Sequence, residues 1–434
     1  MSQSDIRYLI VGAGPSGLSA AYELSKTKCR IEIYERLDDV GGLARSLKYK
    51  DCKFDIGPHR FFTLNKEIQE FYTNILKEDA VSVPRFTRIY YKNKFFKYPI
   101  SPFSTIIKIG FVGAIEIVWS YFIAQIRKYL LRAKINNFED WITLNFGTKL
   151  YKTFFKSYTE KVWGIECKEI SDDWAEQRIK NLSFIGVIIN PIIKNLRRRK
   201  IKTLVDEFYY PRFGAGQFYQ KLLEETIIKN KNTKINYHNE LMRINHNKDR
   251  ITSLTFKNKG KDVNVESDYF FISSSFTKII QMMNPPPPKE VLDATKMLRY
   301  RHHIGVKLIV EGNLFKDQWI YIHDPRVKMA RVSNYINFSK EMSPSTDINP
   351  LTVEYFTFEN DDIWKLSETD LLKFAEKELR LTQLIKDSDK VKDGFVVRSM
   401  DAYPVIKSGH EKYVNIIKNF LGRFNNITPI GRSG

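Results

Sequence analysis

Gly12, Gly14 and Gly17 stand in Gly-x-Gly-x-x-Gly spacing, with Pro15 and Ser16 between the last two, after the apolar run Tyr8 to Val11 and before an Ala-rich helix start. A second apolar run, Arg30 to Tyr34, ends on Glu35 with Arg36 beside it. This pattern suits a dinucleotide. Gly12 permits a sharp turn, Gly14 lets a pyrophosphate approach the backbone, and Gly17 lets helix and strand pack closely. The helix N-terminus offers unpaired N–H groups and the positive end of a dipole. Glu35 lies at about the distance expected for the acid that binds ribose hydroxyls. A glycine-rich structural turn is the plain alternative, and it leaves the strand, helix and acid unexplained.

Further on come Gly41, Gly42, Leu43 and Arg45, then Gly57, Pro58 and His59. Adjacent glycines remove side chains where a flat cofactor must touch backbone. A nicotinamide dehydrogenase has no need of this extension. It resembles the second flavin fingerprint of the FAD-dependent amine oxidase and protoporphyrinogen oxidase superfamily, which includes the UDP-galactopyranose mutases. The resemblance implies FAD, with Gly41, Gly42, Leu43 and Arg45 along its diphosphate and flavin. It places Gly57, Pro58 and His59 against the isoalloxazine ring, with the Pro58 carbonyl near flavin N5, and Leu241 beside the adenine. NAD(P)H stays open as a reductant.

The elements that must hold these residues read as an α/β fold with α+β insertions: a Rossmann-type FAD-binding domain built from discontinuous segments, a helical insert and a β-rich substrate domain. Residues 1–75, 203–284 and 395–434 are expected to form the first, 76–202 the mainly helical insert, and 285–394 the substrate domain. Alternating or apolar runs at Ile304 to Val310, Trp319 to His323 and Leu351 to Phe356 read as strands. Pro285 to Pro288 reads as a rigid connector.

Blocks spread along the chain resemble the UDP-galactopyranose mutases, particularly their eukaryotic-type branch. They include Tyr98-Pro99, Phe138 to Trp141, Tyr158 to Trp163, Trp174 to Arg178, Trp319 to Tyr321, Ala330 to Tyr335, Ala402-Tyr403 and Gly431-Arg432. Rings that stack and arginines that bind phosphate in pairs of hydrogen bonds suit a base, a diphosphate and a sugar. By this resemblance Arg331 and Arg432 hold the diphosphate and Tyr321 and Tyr403 add hydroxyl contacts. Arg178 sits near sugar and flavin, and His59 belongs to a loop over the flavin. Trp163, Thr159, Trp319 and Asn334 complete the substrate contacts, while Gly431 and Arg432 also touch the cofactor. The implied reaction uses reduced flavin N5 as nucleophile at the anomeric carbon of a nucleotide sugar, in surface polysaccharide biosynthesis. An FAD-dependent oxidoreductase of the amine oxidase type and a catalytically incomplete flavin-binding assembly protein remain as alternatives. Thr159 stands where the family typically has asparagine, so that contact is altered or absent. The chain stops at Gly434, soon after Arg432. A missing C-terminal wall and loosely held FAD are therefore expected.

The 434 residues carry 70 basic and 50 acidic side chains, a net charge of +20. This favours an anionic partner or an acidic surface, or marks only a solvated lysine-rich exterior. The cluster Arg197 to Lys200 lacks the interleaved aromatics of a single-strand platform, so nucleic acid is not expected. Cys29, Cys52 and Cys167 show no paired spacing, which argues against a zinc site and suggests a reducing cytoplasm. His302, His303 and His323 read as packing or polar-edge residues, and no metal is expected. Residues 103–126 are apolar but include Lys108 and Glu116, each costing about 2.5–3.5 kcal/mol near a bilayer centre, so a spanning helix is not expected. A peripheral membrane contact with Arg127, Lys128 and Arg132 at its rim stays open. Oligomeric state is not legible.

Overall fold

The computed structural model describes residues 6–98, 108–172, 174 and 207–432. A five-stranded parallel sheet runs in the order Ile427–Pro429, Tyr269–Ile272, Arg7–Val11, Arg30–Tyr34, Thr233–Asn236. Both faces are covered, which is why the central strands Arg7–Val11 and Tyr269–Ile272 read as nearly continuous apolar runs. Ile10, Ile31 and Ile33 pack on Leu18, Ala21, Phe218 and Leu222 of the helices Pro15–Leu24 and Gly216–Lys229. On the other face Leu9, Val11, Phe270 and Ile272 meet Ile244, Leu254 and Phe256 of a four-stranded sheet, and the helices Phe276–Gln281, Lys289–Lys296 and Glu411–Leu421.

A seven-stranded sheet is ordered Lys390–Pro404, Tyr300–Glu311, Ile348–Thr357, Arg331–Asn334, Trp319–Ile322, Thr87–Tyr91, Lys94–Lys97. Side chains alternate across it. Ile304, Val306, Leu308, Ile320, Val332, Leu351 and Val353 pack against Leu371, Ala375 and Leu379 of the helix Glu368–Leu381. The opposite alternation, His303, Lys307, Tyr321, Arg331 and Glu354, faces the glycine loops.

This sheet moves three expected boundaries. Thr87–Tyr91 and Lys94–Lys97 join it, so the segment after residue 75 opens with strands rather than helix. Helix Lys289–Lys296 packs in the core of the first unit, with Val291 and Ala294 beside Ile417, so the prolines do not mark the crossing, which comes at Tyr300. Lys390–Pro404 is an edge strand along Tyr300–Glu311, and the return to the parallel sheet follows it instead of starting at residue 395. Helices Phe111–Tyr129, Phe138–Phe146, Thr148–Phe154 and Lys156–Trp163 form a separate layer around Ile117, Phe138, Ile142, Phe146 and Phe154. Among the described residues, no helix is long and apolar enough to cross a membrane.

Candidate active site

The cradle comes first, because its parts are contiguous. Gly12 turns at φ +93° and its N–H donates to the Tyr34 carbonyl at 2.8 Å, tying the loop to the second strand. A β-carbon on Gly17 would lie 1.9 Å from the Gly12 carbonyl oxygen, so only glycine allows helix and loop to touch. Helix Pro15–Leu24 has no side-chain cap and no acid in its first turn, which leaves its N-terminal donors for an anion. Glu35 is buried, accepts from Ala13 N at 2.7 Å and from Leu37 N at 3.0 Å, and thereby ties the glycine loop to the chain leaving the second strand. Gly42 stacks on the same loop: a β-carbon there would sit 3.1 Å from Gly14 Cα. Arg45 donates to the Gly42 carbonyl at 2.9 Å, and burial together with Arg36 draws its pKa down. The residues present fit a pyrophosphate-bridged dinucleotide.

The facing wall is built from charge. Arg331 pairs with Glu354 through Nε and, at 2.7 Å, through Nη2, leaving Nη1 outside the pair. His303 Nε2 is 3.0 Å from the same carboxylate, which is fully buried. Burial alone would raise the Glu354 pKa, but the Arg331 guanidinium and His303 hold it well below the usual carboxylate range. Lys307, also fully buried, donates to the Asp55 carbonyl at 2.6 Å, the Ile56 carbonyl at 2.9 Å and Thr352 Oγ1 at 2.9 Å. Its amine is drawn down to about 7 by desolvation. Lys307 thus pins the chain entering Gly57, Pro58 and His59 to the sheet. Absence of side chains lets the two surfaces close: β-carbons on Gly57 and Gly305 would lie 2.8 Å from Glu354 Oε1 and 3.3 Å from the Ile56 carbonyl oxygen. Asp55 is held by Ser46, Tyr210 and Ala215 N, yet burial lifts its pKa to about 6.

Phenols and arginines surround this pair. Tyr158, Tyr321 and Tyr403 neighbour one another and Arg331, and burial raises the Tyr158 pKa far above the ordinary value. Tyr158 lies edge-on to Tyr321 with centroids 5.5 Å apart, and Tyr98 closes on Tyr321 at 5.1 Å. Arg432 sits 4.5 Å from the Tyr403 ring centroid and donates to the Ala402 carbonyl. Gly431 approaches Ser16 of the cradle. His59 Nε2 is 2.9 Å from the Leu43 carbonyl, so the Pro58 loop is tied back to Gly42-Leu43. Burial, with Arg331 and Arg432 adding to it, pushes His59 down to about 4, and the ring is neutral near pH 7.

The structure therefore brings His59, Arg331, Arg432, Tyr321 and Tyr403 together beside the cradle. Other residues fall differently. Asn334 lies on the opposite face of its strand from Arg331, is fully buried and donates to Asn349 Oδ1 at 2.8 Å, so it is a structural amide rather than a substrate contact. Trp163 and Thr159 are buried in the helical layer; Trp163 lies edge-on to Trp174 at 5.3 Å and to Tyr403 at 6.5 Å. Trp319 lies on the site face but is packed under Phe208 and Phe338, with Arg60 over it at 5.8 Å. Leu241 is half-buried beside the core that holds Tyr34. Arg178 and the Arg197 to Lys200 cluster lie outside the described residues. His303 is not a mere packing residue, since it binds Glu354. Lys307 and Glu354 went unread, although each is a lone charge inside an apolar central strand, which burial tolerates only with partners.

The NAD(P)-binding Rossmann-like domain family matches residues 10–75. The crystal structure of a reduced UDP-galactopyranose mutase superposes with a TM-score of 0.81 at 20% identity, over 99% of this chain and 90% of that one. A probable UDP-galactopyranose mutase of Klebsiella pneumoniae is 29% identical over 180 residues, 37% of this chain and 42% of that protein. An L-amino-acid oxidase of Sistrurus catenatus edwardsii is 24% identical over 343 residues, 73% of this chain and 60% of that protein. The chain thus spans less than two thirds of the length of these two relatives. The fold is shared with that reduced mutase and, at a TM-score of 0.62 and 13% identity, with a putrescine oxidase, and the cradle is of a kind that suits a dinucleotide such as FAD. The chain is thus similar to UDP-galactopyranose mutases in fold and over part of its sequence, and to L-amino-acid oxidases over a longer stretch of sequence.

Proposed function

We propose that the protein binds FAD and interconverts the pyranose and furanose rings of a nucleoside-diphosphate sugar without net redox change, making a donor for surface polysaccharide. The observation that carries this is the phenol-lined wall around Arg331, whose Nη1 is left outside its ion pair with Glu354, with Arg432 over the Tyr403 ring. Two arginines with guanidinium donors to spare and neighbouring phenol hydroxyls suit a diphosphate. Reduced FAD, when bound, would supply a nucleophile toward the anomeric carbon. Arg432 and the free Nη1 of Arg331 would hold the diphosphate as it leaves, with Tyr321 and Tyr403 donating hydroxyl hydrogen bonds. Glu354 orients Arg331, Lys307 fixes the loop, and Glu35 receives the ribose. NAD(P)H is the proposed reductant.

A second reading, oxidation of an amino acid, draws on the longer sequence match to the L-amino-acid oxidase. Its carboxylate could pair with the same arginines. One experiment separates the two. The dithionite-reduced protein is incubated with UDP- and dTDP-hexopyranoses, and the oxidised protein with L-amino acids. Ring-contracted product from the reduced form supports the mutase; substrate-dependent bleaching of the oxidised flavin overturns it.

A further inference from the structure

The helix Phe111–Tyr129 inverts the usual amphipathic arrangement. Ala114, Ile117 and Ala124 pack inward, whereas the outward arc is itself apolar: Phe111 is 80% exposed, Val112 72%, Trp119 61% and Phe122 54%. Ile115, Val118 and Ile123 continue it, and Leu130 and Leu131 extend it past the helix end. On a helical wheel this exposed face is uninterrupted by charge, with Glu116 and Arg127 at its edge. At 19 residues the face runs about 28 Å. Contiguous apolar surface of this extent marks a site of interaction.

The rim says with what. Glu116, the one acid on the helix, is neutralised by Lys149. Arg127, Arg132 and Lys134 are exposed and take part in no ion pair among the described residues. The rim is therefore cationic on a protein of net charge +20. Docking two such faces would bring like charges together around a dry patch, while an anionic lipid surface would neutralise them. Trp119 and Tyr129 are side chains suited to the headgroup boundary, and the stems of lysine and arginine can lie along acyl chains while their charges reach phosphate. Since this helix is not apolar enough to span, it would lie in the plane of the interface.

We propose that the Phe111–Leu131 face docks the enzyme on an anionic membrane surface. The test is co-sedimentation of the full chain with vesicles of three parts phosphatidylcholine to one part phosphatidylglycerol, against vesicles of phosphatidylcholine alone. The anionic vesicles should bind at least about tenfold more protein, raised salt should release it, and Trp119 emission should shift to the blue. Trp119→Asp with Phe122→Asp should abolish binding, and Arg127→Ser with Arg132→Ser should weaken it about tenfold, both with far-UV circular dichroism unchanged. Should the aspartate variant misfold, the serine variant decides. Failure of the wild-type chain to bind anionic vesicles overturns the proposal, as does equal, salt-independent binding to both. So does a dimer in light scattering that dissociates in the aspartate variant, because a second copy would then occupy the face.

Discussion

The two walls of the cleft are made by opposite means. The cradle is made by leaving side chains out: Gly12, Gly14, Gly17, Gly41 and Gly42 bring backbone to backbone within the first 45 residues. The facing wall puts charge in. Arg331, Glu354, His303 and Lys307 converge from three strands of one sheet: the buried Glu354 takes both Arg331 and His303, and the buried Lys307 is held by Thr352 and two backbone carbonyls. A site made of omissions fails by collision, and a site made of buried charge fails when a partner is lost.

Gly17→Val should give the largest effect. Its side chain would overlap the Gly12 carbonyl, and a loss of about 4 kcal/mol or more is expected, seen as insoluble or urea-sensitive protein. Gly14→Val sharpens the contrast. A β-carbon at Gly14 meets nothing closer than Gly42 Cα at 3.9 Å, so the fold should survive while flavin content falls to near zero. Full retention of yellow cofactor by Gly14→Val would dismiss the cradle assignment.

On the charged wall, Arg331→Ala should cost about 3–5 kcal/mol, because it strands Glu354 in a buried site. Replacing both, Arg331→Met with Glu354→Leu, should recover most of that stability but not UDP affinity. Chemical denaturation and UDP titration read the two effects separately. If the single variant is as stable as the double, Glu354 has another counter-charge.

What could be read in the sequence follows the same division. Glycines, acid and strand ends of the cradle are local, so spacing alone exposes them. Arg331 was found only through its block resemblance, and its partner Glu354 lies 23 positions on, meeting it through antiparallel register. Lys307 sits 252 positions from the Asp55 carbonyl it binds. No periodicity links them. Asn334 was misread for the same reason: it shares a block with Arg331, but three positions along a strand place it on the other face. The boundary at residue 395 failed because Gly394 to Val397 is apolar enough for either sheet, and only its pairing with Gly305 to Leu308 assigns it.

Lys307→Met tests the wall at smaller scale. Lys307 is drawn from 10.5 to about 7, so between those values the unfolded chain carries a proton that the folded chain does not. Stability of the wild type should therefore rise with pH across that window, by up to about 1.4 kcal/mol per unit, relative to the variant. At pH 6 the variant should lose only the three hydrogen bonds, about 1–3 kcal/mol, offset by the removed cost of a buried cation. Parallel stability curves from pH 7 to 10 would show that Lys307 keeps its proton.

His59 joins the two walls, and its replacement should be mildest. It ties the Pro58 loop to Leu43 on the cradle side while facing Arg331 and Arg432 on the other. His59→Asn removes one hydrogen bond, worth about 0.5–1.5 kcal/mol, and flavin content should be nearly unchanged at pH 7. The difference should depend on acidity. With its folded pKa lowered to about 4, the histidine stays neutral in the native state while the unfolded chain protonates near 6.5. Wild-type stability should therefore fall relative to His59→Asn as pH drops from 6.5 to 4, and be independent of this residue's titration above 7. Urea midpoints at pH 7.5, 6 and 5 measure it. A gap that widens on acidification would mean that His59 gains a proton in the folded protein, that Arg331 and Arg432 are too distant or too well paired to repel it, and that the charge of the sheet does not reach the loop.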